Sequence, residues 1–110
     1  MHLFYEMLEN AKTLEERQKI IGKQLHREDI SNIVGKHTEF LPQKSYDSIV
    51  EIEVGQKYFL NEIGMCVPSI YVAGFYKRKG SERIEVLIVD PVQGFETCYT
   101  DQLSDSQRDR

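Results

Sequence analysis

Cysteine is scarce in this sequence, which contains only Cys66 and Cys98, 32 positions apart. A small secreted scaffold held together by disulfides needs several cysteine pairs, so that class of protein is excluded. In a reducing compartment each thiol is expected to be a small core residue. If the chain is secreted, a single disulfide between the two cysteines remains possible.

Histidine is also scarce, and no two of the histidines and cysteines form a close pair. Zinc sites normally need three or four thiolates or imidazoles with at least one close pair, whereas His2, His26 and His37 lie far apart and far from both cysteines. We therefore expect no metal and no cofactor. Catalysis by a thiol would have to pair Cys98 or Cys66 with His26 or His37, and neither cysteine stands at a helix start or among cations.

Two further features of enzymes and membrane proteins are missing. The stretches VGQKYF and IVGKHT share only a Gly-Lys pair with glycine-rich phosphate loops and lack the preceding glycines. No apolar run, such as Val86 to Val89, approaches the roughly 20 residues that span a bilayer, and no leader pattern opens the sequence. We expect a cytoplasmic protein that is not an enzyme.

A surplus of positive charge is also lacking. The chain has 18 acidic and 14 basic residues, a net charge of -4. Affinity for nucleic acid without sequence preference comes largely from cations that neutralise phosphates, so the overall balance disfavours such a protein.

The first part of the chain has helical periodicity. A first short helix is predicted from one apolar face, formed by Leu3, Phe4, Met7, Leu8 and Ala11. A second helix is predicted after the stretch TLEE, in which Thr13 and Glu16 can form a capping box. Its apolar residues then fall near one side: Leu14, Ile20, Ile21 and Leu25.

A third short helical piece is predicted in the stretch REDISNIV, with Gly35 as its C-terminal cap. The stretch EDISNIVGKHTEF resembles the start of a DNA-binding helix-turn-helix. The recognition helix would have to continue through Pro42, however, and proline breaks a helix interior. The stretch from Lys36 to Ser48 has no sustained period and is predicted to be a connector.

From Ile49 onward, apolar and polar residues alternate with the two-residue period of a strand. A first strand is predicted over Val50–Val54, Gly55 marks a bend or bulge, and Tyr58–Leu60 continues the pairing. Three more strands are predicted in SIYVAGFY, RIEVLIVD and FETCYT, separated by turns at NEIG, KGSE and DPVQG. The strand RIEVLIVD is apolar on both faces, so it must be covered on both sides, with the helices as one cover.

Five short strands joined by tight turns, with Gly55 near the first bend and the closing stretch TDQL, resemble the layout of small barrels of the Src-homology, Tudor and chromo type. The resemblance covers Ile49 to Leu103 and rests on strand pattern, because no family motif is matched. It implies a fold that hosts peptide binders, nucleic-acid binders and plain scaffolds alike.

The predicted fold class is therefore α+β. An N-terminal helical arm of two or three short helices packs on a C-terminal, antiparallel, five-stranded small β-barrel or strongly curved sheet. The predicted segments are 1–48 for the arm and connector, 49–103 for the β domain and 104–110 for a frayed tail, all in one folding unit.

Four cations surround the predicted KGSE turn: Lys77, Arg78, Lys79 and Arg83. Charged turn tips are common because they are fully hydrated, and they also deter edge pairing. We therefore expect a solvated hairpin tip that could be removed without loss of folding. The alternative is that the tip holds a phosphate or a stacked base next to the aromatic residues before it.

The β half also contains seven aromatic residues. A segment of about sixty residues cannot easily bury all of them, and aromatic side chains that remain exposed are favoured anchors at interfaces. The sequence predicts a non-enzymatic binding or regulatory protein that contacts another protein, or a second copy of itself, through an aromatic β surface. The alternatives are a protein that binds or sequesters a nucleotide-type small molecule and a nucleic-acid-binding barrel that uses the basic hairpin. The candidate site residues are Tyr71, Tyr76, Arg78, Arg83, Phe95 and Tyr99.

Overall fold

A computed structural model describes residues 3–27, 31–35, 38–41, 52–62, 65–92 and 94–105. Two helices, α1 (Leu3–Asn10) and α2 (Leu14–Arg27), are followed by one helical turn, Ser31–Val34. The strands are β1 (Thr38–Leu41), β2 (Lys57–Glu62), β3 (Met65–Arg78), β4 (Ile84–Asp90), β5 (Gly94–Tyr99) and β6 (Leu103–Asp105). A 3₁₀ turn, Thr100–Gln102, joins β5 to β6. The predicted α+β class is confirmed.

Local signals place the ends of the helical segments. The backbone N–H of Glu16 donates to Thr13 Oγ1 at 3.1 Å, as predicted, and the Glu16 carboxylate accepts from the backbone N–H of Lys12 at 3.3 Å. The two side chains thus satisfy two amides at the start of α2, although Glu16 reaches one residue beyond the usual capping-box position. The helical turn ends at Gly35, whose φ of 94° is the left-handed conformation of a C-terminal cap.

The helical arm differs from its prediction in two respects. The third piece is a single four-residue turn, so the arm contains two helices, and residues 28–30 lie outside the described part. In α1 the buried residues are Phe4, Tyr5 and Leu8, whereas Leu3 and Met7 are exposed. Compared with the predicted orientation, α1 is rotated about its axis, because the rings of Phe4 and Tyr5 pack on the sheet. Periodicity alone could not decide which of two adjacent helix faces is buried.

The sheet is antiparallel, with strand order β5-β4-β3-β2-β6, and the short β1 pairs with the C-terminal part of β3. Among the described residues β5 and β6 do not pair with each other, so the sheet is open, and the barrel, one of the two forms predicted for the β domain, is wrong. One reason is that the strand predicted over Val50–Val54 is missing from its described part, since Ile52–Val54 leads into a turn at Gly55. Ile52 is instead buried as a loop residue in the core, and residues 50 and 51 lie outside the described part.

Two segments predicted to be irregular form strands. Thr38–Leu41, in the predicted connector, pairs with Phe75–Arg78, and Ser104 and Asp105, in the predicted tail, pair with β2. Short strands such as these depend on a partner edge that is distant in the sequence. The remainder of the predicted connector, the end of the predicted NEIG turn and residues 106–110 lie outside the described residues.

The sheet has a hydrophobic cluster on each face. The helix-side cluster joins both helices and Val34 to strand residues of β3 and β4, among them Tyr71, Leu87 and Val89. The opposite cluster contains Ile52, Leu60, Ile70, Val72, Phe75, Val86, Ile88 and Cys98. Strand β4 is therefore covered on both faces, with the helices as one cover, and Cys98 is a core residue; both predictions are confirmed.

A β-bulge in β3 decides which of its residues face the helices. The pairing with β4 shifts register between Val72 and Gly74, so Ala73 is an extra residue. Before the bulge Tyr71 faces the helices, and after it Tyr76 does. The extra residue reverses which alternate residues of β3 face the helices, so Tyr76 and Arg78 face the helix side after the bulge. The candidate site lies at this end of the sheet.

Candidate functional site

Three neighbouring strands bring Tyr76, Glu85 and Tyr99 into one row. Tyr76 of β3 pairs with Glu85 of β4, and Glu85 pairs with Tyr99 of β5. Directly paired residues lie on the same face of a sheet, so these side chains are neighbours on the helix side. The row lies at the end of the sheet where the turn between β3 and β4 carries the four cations.

Glu85 is a buried carboxylate with two strong partners. Its residue is 5% exposed, Tyr76 donates its hydroxyl to Oε1 at 2.8 Å, and Arg78 Nε donates to Oε2 at 2.8 Å. Burial and the bond to Glu85 raise the pKa of Tyr76 well above its usual value, so the phenol stays a donor. The same carboxylate raises the pKa of Arg78.

Arg78 also joins the sheet to the helical arm. Its Nη1 donates to the carbonyl oxygen of Val34 at 2.8 Å, at the end of the helical turn. The guanidinium lies 5.9 Å from the centre of the Tyr76 ring, and the side chain is 47% exposed. The prediction of a solvated tip is therefore wrong for Arg78, which is held by two hydrogen bonds.

Arg83 lies over the ring of Tyr99. Its Cζ is 3.5 Å from the centre of the Tyr99 ring, and Nη2 donates to Asp101 at 3.3 Å. The Arg83 side chain is 56% exposed and Tyr99 is half-buried. A guanidinium stacked on an aromatic ring keeps donors in its plane available to a partner.

Phe40 extends this surface across β1. It pairs with Tyr76, the two ring centres are 6.1 Å apart, and Phe40 is 43% exposed. We call the exposed residues Phe40, Arg78 and Arg83, together with the half-buried Tyr99, the arginine face. Tyr76 and Glu85 are buried beneath it.

A cleft adjoins the arginine face and shares Arg78 with it. It is an open cleft of about 500 Å³, which we call the tip cleft. The cleft is lined by Thr38 and Glu39 of β1 and by the five consecutive residues Lys77–Ser81. Lys77 is partly exposed and lies 3.5 Å from the exposed Glu82 in an ion pair, and Lys79 is exposed.

Four of the six predicted site residues come together here: Arg78, Arg83 and Tyr99 belong to the arginine face, and Tyr76 is buried beneath it. The other two lie elsewhere. Tyr71 is buried under α1, where its hydroxyl donates to Glu9 at 2.6 Å, and Phe95 packs on Phe4 with ring centres 5.1 Å apart. Burial, with help from Glu9, raises the pKa of Tyr71. Tyr71 and Tyr76 therefore belong to the core and not to an exposed aromatic surface.

Two important residues of the site were not predicted from the sequence. Glu85 is the lone charge in a strand that is apolar on both faces. Because a buried charge must have a partner, its position in the sequence could have indicated a buried ion pair. Phe40 had no such signal, because the segment around it lacks a sustained period. Its place follows only from the pairing of β1 with β3.

The described residues contain no group of three or more His, Cys, Asp or Glu side chains that could hold a metal ion. Within the same part of the chain, no helix is long and apolar enough to cross a membrane. Comparison with protein-family models, with curated proteins and with solved structures found no match to this chain.

Proposed function

We propose that this chain is a cytoplasmic, non-enzymatic binding or regulatory protein that engages another protein through the arginine face. The observation that carries this proposal is the pair of partly exposed arginines, Arg78 and Arg83, which are held in place beside the exposed ring of Phe40 and the half-buried ring of Tyr99. Arginine and tyrosine are among the residues that contribute most to binding at protein interfaces.

Preorganisation supports this use of the surface. Arg78 is held by Glu85 and Val34, and Arg83 lies between Asp101 and the Tyr99 ring. A side chain already fixed in one orientation loses less conformational entropy when a partner binds. The two guanidiniums therefore present spare donors at little entropic cost.

The chemistry of the surface favours a partner that presents carboxylates. A guanidinium has five N–H donors, and Arg83 uses one of them toward Asp101, so further donors suit Asp or Glu side chains. Nucleic acid fits less well. The acids Glu82, Glu85 and Asp101 each pair with one of the four cations, which reduces the attraction for a polyanion.

The test begins with selection of binding peptides from a random library displayed on phage. We expect enrichment of peptides that combine Asp or Glu with an apolar side chain. The double variant Arg83→Gln with Tyr99→Ala should weaken their binding about thirtyfold, the effect of losing about 2 kcal/mol, as measured by fluorescence polarisation.

The matched control is Lys19→Gln with Val92→Ala, which removes one cation and one exposed apolar side chain away from the arginine face. It should bind the peptides as the parent chain does. Equal binding by both double variants would contradict the proposal. Light scattering distinguishes a different protein from a second copy of this chain as the partner. A dimer that forms in the parent chain and is abolished by the double variant Arg83→Gln with Tyr99→Ala would identify the partner as a second copy.

A further inference from the structure

The tip cleft has the dimensions of a small-molecule site. Its volume of about 500 Å³ lies within the roughly 300–1,000 Å³ of ligand pockets. Its walls come from two antiparallel partners, because Thr38 pairs with Arg78 and Glu39 pairs with Lys77. The turn that closes one end is held by a hydrogen bond from Ser81 N to Arg78 O at 3.0 Å.

Ser81 supplies a hydroxyl whose hydrogen is available to a ligand. Its Oγ accepts the backbone N–H of Arg83 at 3.1 Å, which fixes the oxygen and leaves the O–H free to donate. The other hydroxyl of the cleft is already used, since Thr38 Oγ1 donates to Gly35 O at 3.0 Å.

The two lysines of the cleft are available as cations. Lys79 is exposed and forms no ion pair within the described residues. Lys77 is paired with Glu82 at 3.5 Å, but the Glu82 side chain is 99% exposed, and an ion pair with so exposed a partner is weak. An anion in the cleft can therefore displace Glu82 from Lys77 at low cost.

Arg78 limits how much negative charge the cleft can accept. Its guanidinium is already bonded to the Glu85 carboxylate and to Val34 O, so its charge is largely balanced. Glu39 adds one negative charge to the lining. Two ammoniums and one hydroxyl remain as donors, and with Glu39 counted the cleft has about one net positive charge, which suits one phosphoryl group better than a chain of phosphates.

We propose that the tip cleft binds one phosphoryl group of a small metabolite, of nucleoside monophosphate size. Lys77 and Lys79 neutralise the group, and Ser81 Oγ donates a hydrogen bond to one of its oxygens. Arg78 lines the tip cleft and also belongs to the arginine face. The donors to the phosphoryl group are Lys77, Lys79 and Ser81, so this site is distinct from the protein-binding use of Arg83, Tyr99 and Phe40.

The test is a titration followed by the backbone amide resonances of Lys79, Gly80 and Ser81 in two-dimensional NMR. Inorganic phosphate and adenosine monophosphate are the probes, and succinate is the carboxylate comparison. We expect saturable shifts with a dissociation constant of about 1 mM for phosphate and a lower one for the nucleotide. The affinity should fall as salt rises above roughly 0.1 M. Succinate should bind at least about tenfold more weakly.

Two variants move the affinity in opposite directions. Lys77→Ser with Lys79→Ser should weaken phosphate binding at least about tenfold, whereas Glu82→Gln should strengthen it a few-fold, because Lys77 loses its competing partner. Lys19→Ser with Lys23→Ser changes the net charge equally on α2 and should leave binding unchanged.

The proposal is overturned if no saturable shift occurs near Ser81, if succinate binds as well as phosphate, or if both lysine pairs have equal effects. No gain in affinity for Glu82→Gln would also overturn it. Because the arginine face is intact in all these variants, the library-selected peptides should bind each of them, so this test and that of the proposed protein partner can fail independently.

Discussion

At the scale of single residues, Glu85 is the most constrained side chain of the site. A buried carboxylate is costly unless it is paired and hydrogen-bonded, and Glu85 accepts from both Tyr76 and Arg78. Arg78 in turn caps the carbonyl of Val34, which ends the helical turn. These contacts make Arg78 part of the fold as well as part of the surface.

We therefore predict that Arg78→Met lowers the free energy of unfolding by about 2 kcal/mol, since it leaves Glu85 buried with only one partner. Adding Glu85→Gln should restore part of the loss, because the unpaired charge is removed while an acceptor for Tyr76 is kept. Urea unfolding measures both effects.

Lys79→Met is the matched control, since it removes an exposed cation from the same turn and should change stability by less than about 0.5 kcal/mol. If Arg78→Met were equally harmless, Arg78 would be the solvated tip residue that the sequence pattern favoured, and the contact with Val34 would contribute nothing.

At the scale of secondary-structure elements, Glu9 joins α1 to the sheet. Its Oε2 accepts from Tyr71 at 2.6 Å and from Lys57 at 3.0 Å. Burial raises the pKa of Glu9, but the hydrogen bonds from Tyr71 and Lys57 outweigh burial, so its pKa falls below the usual 4.5. The folded state therefore holds this proton less tightly than the unfolded state does, and the contact stabilises the fold above about pH 4.5.

We predict that Glu9→Gln lowers the free energy of unfolding by about 1 kcal/mol at pH 7, a modest value because the pair is partly exposed. The difference from the parent chain should shrink as the pH falls below about 4.5 through the lowered pKa of Glu9. Urea unfolding at several pH values measures it. Glu6→Gln, at an exposed position of the same helix, removes the same charge and should change the free energy of unfolding at pH 7 by less than about 0.5 kcal/mol. If the difference between Glu9→Gln and the parent chain did not change with pH, the proposed electrostatic role of Glu9 would be wrong.

At the scale of the whole molecule, two hydrophobic clusters share the central strands. β4 contributes Leu87 and Val89 to the helix-side cluster and Val86 and Ile88 to the opposite one. If the central strands separate, the apolar side chains of both clusters become exposed to water. The arm and the sheet should therefore unfold together, as the sequence-based prediction of one folding unit requires.

Thermal unfolding tests this cooperativity. The helical signal in far-ultraviolet circular dichroism and the tyrosine signal in near-ultraviolet circular dichroism should share one midpoint. Leu8→Ala in α1, a fully buried position, should lower both midpoints equally and cost about 3 kcal/mol. Earlier loss of the helical signal would mean that the arm is a separate unit.

The sequence by itself determined the features that depend on neighbouring residues. The α2 start at Thr13, the cap at Gly35, the turn after Asp90 and the two apolar faces of β4 all follow from local dihedral preferences and short-period patterns, which few residues are enough to specify. Of the four site residues that were found, Tyr76, Arg78 and Tyr99 lie in patterned strands, and Arg83 directly precedes β4.

Only the tertiary structure decided the pairing between distant segments. The strand character of Thr38–Leu41, the loop position of Ile52 and the open sheet depend on partner edges far along the chain, whose identity no local pattern encodes. The same holds for the site: the bulge at Ala73 sets the face of Tyr76, and contacts with Val34 and Glu85 turn Arg78 from a hydrated cation into a fixed one.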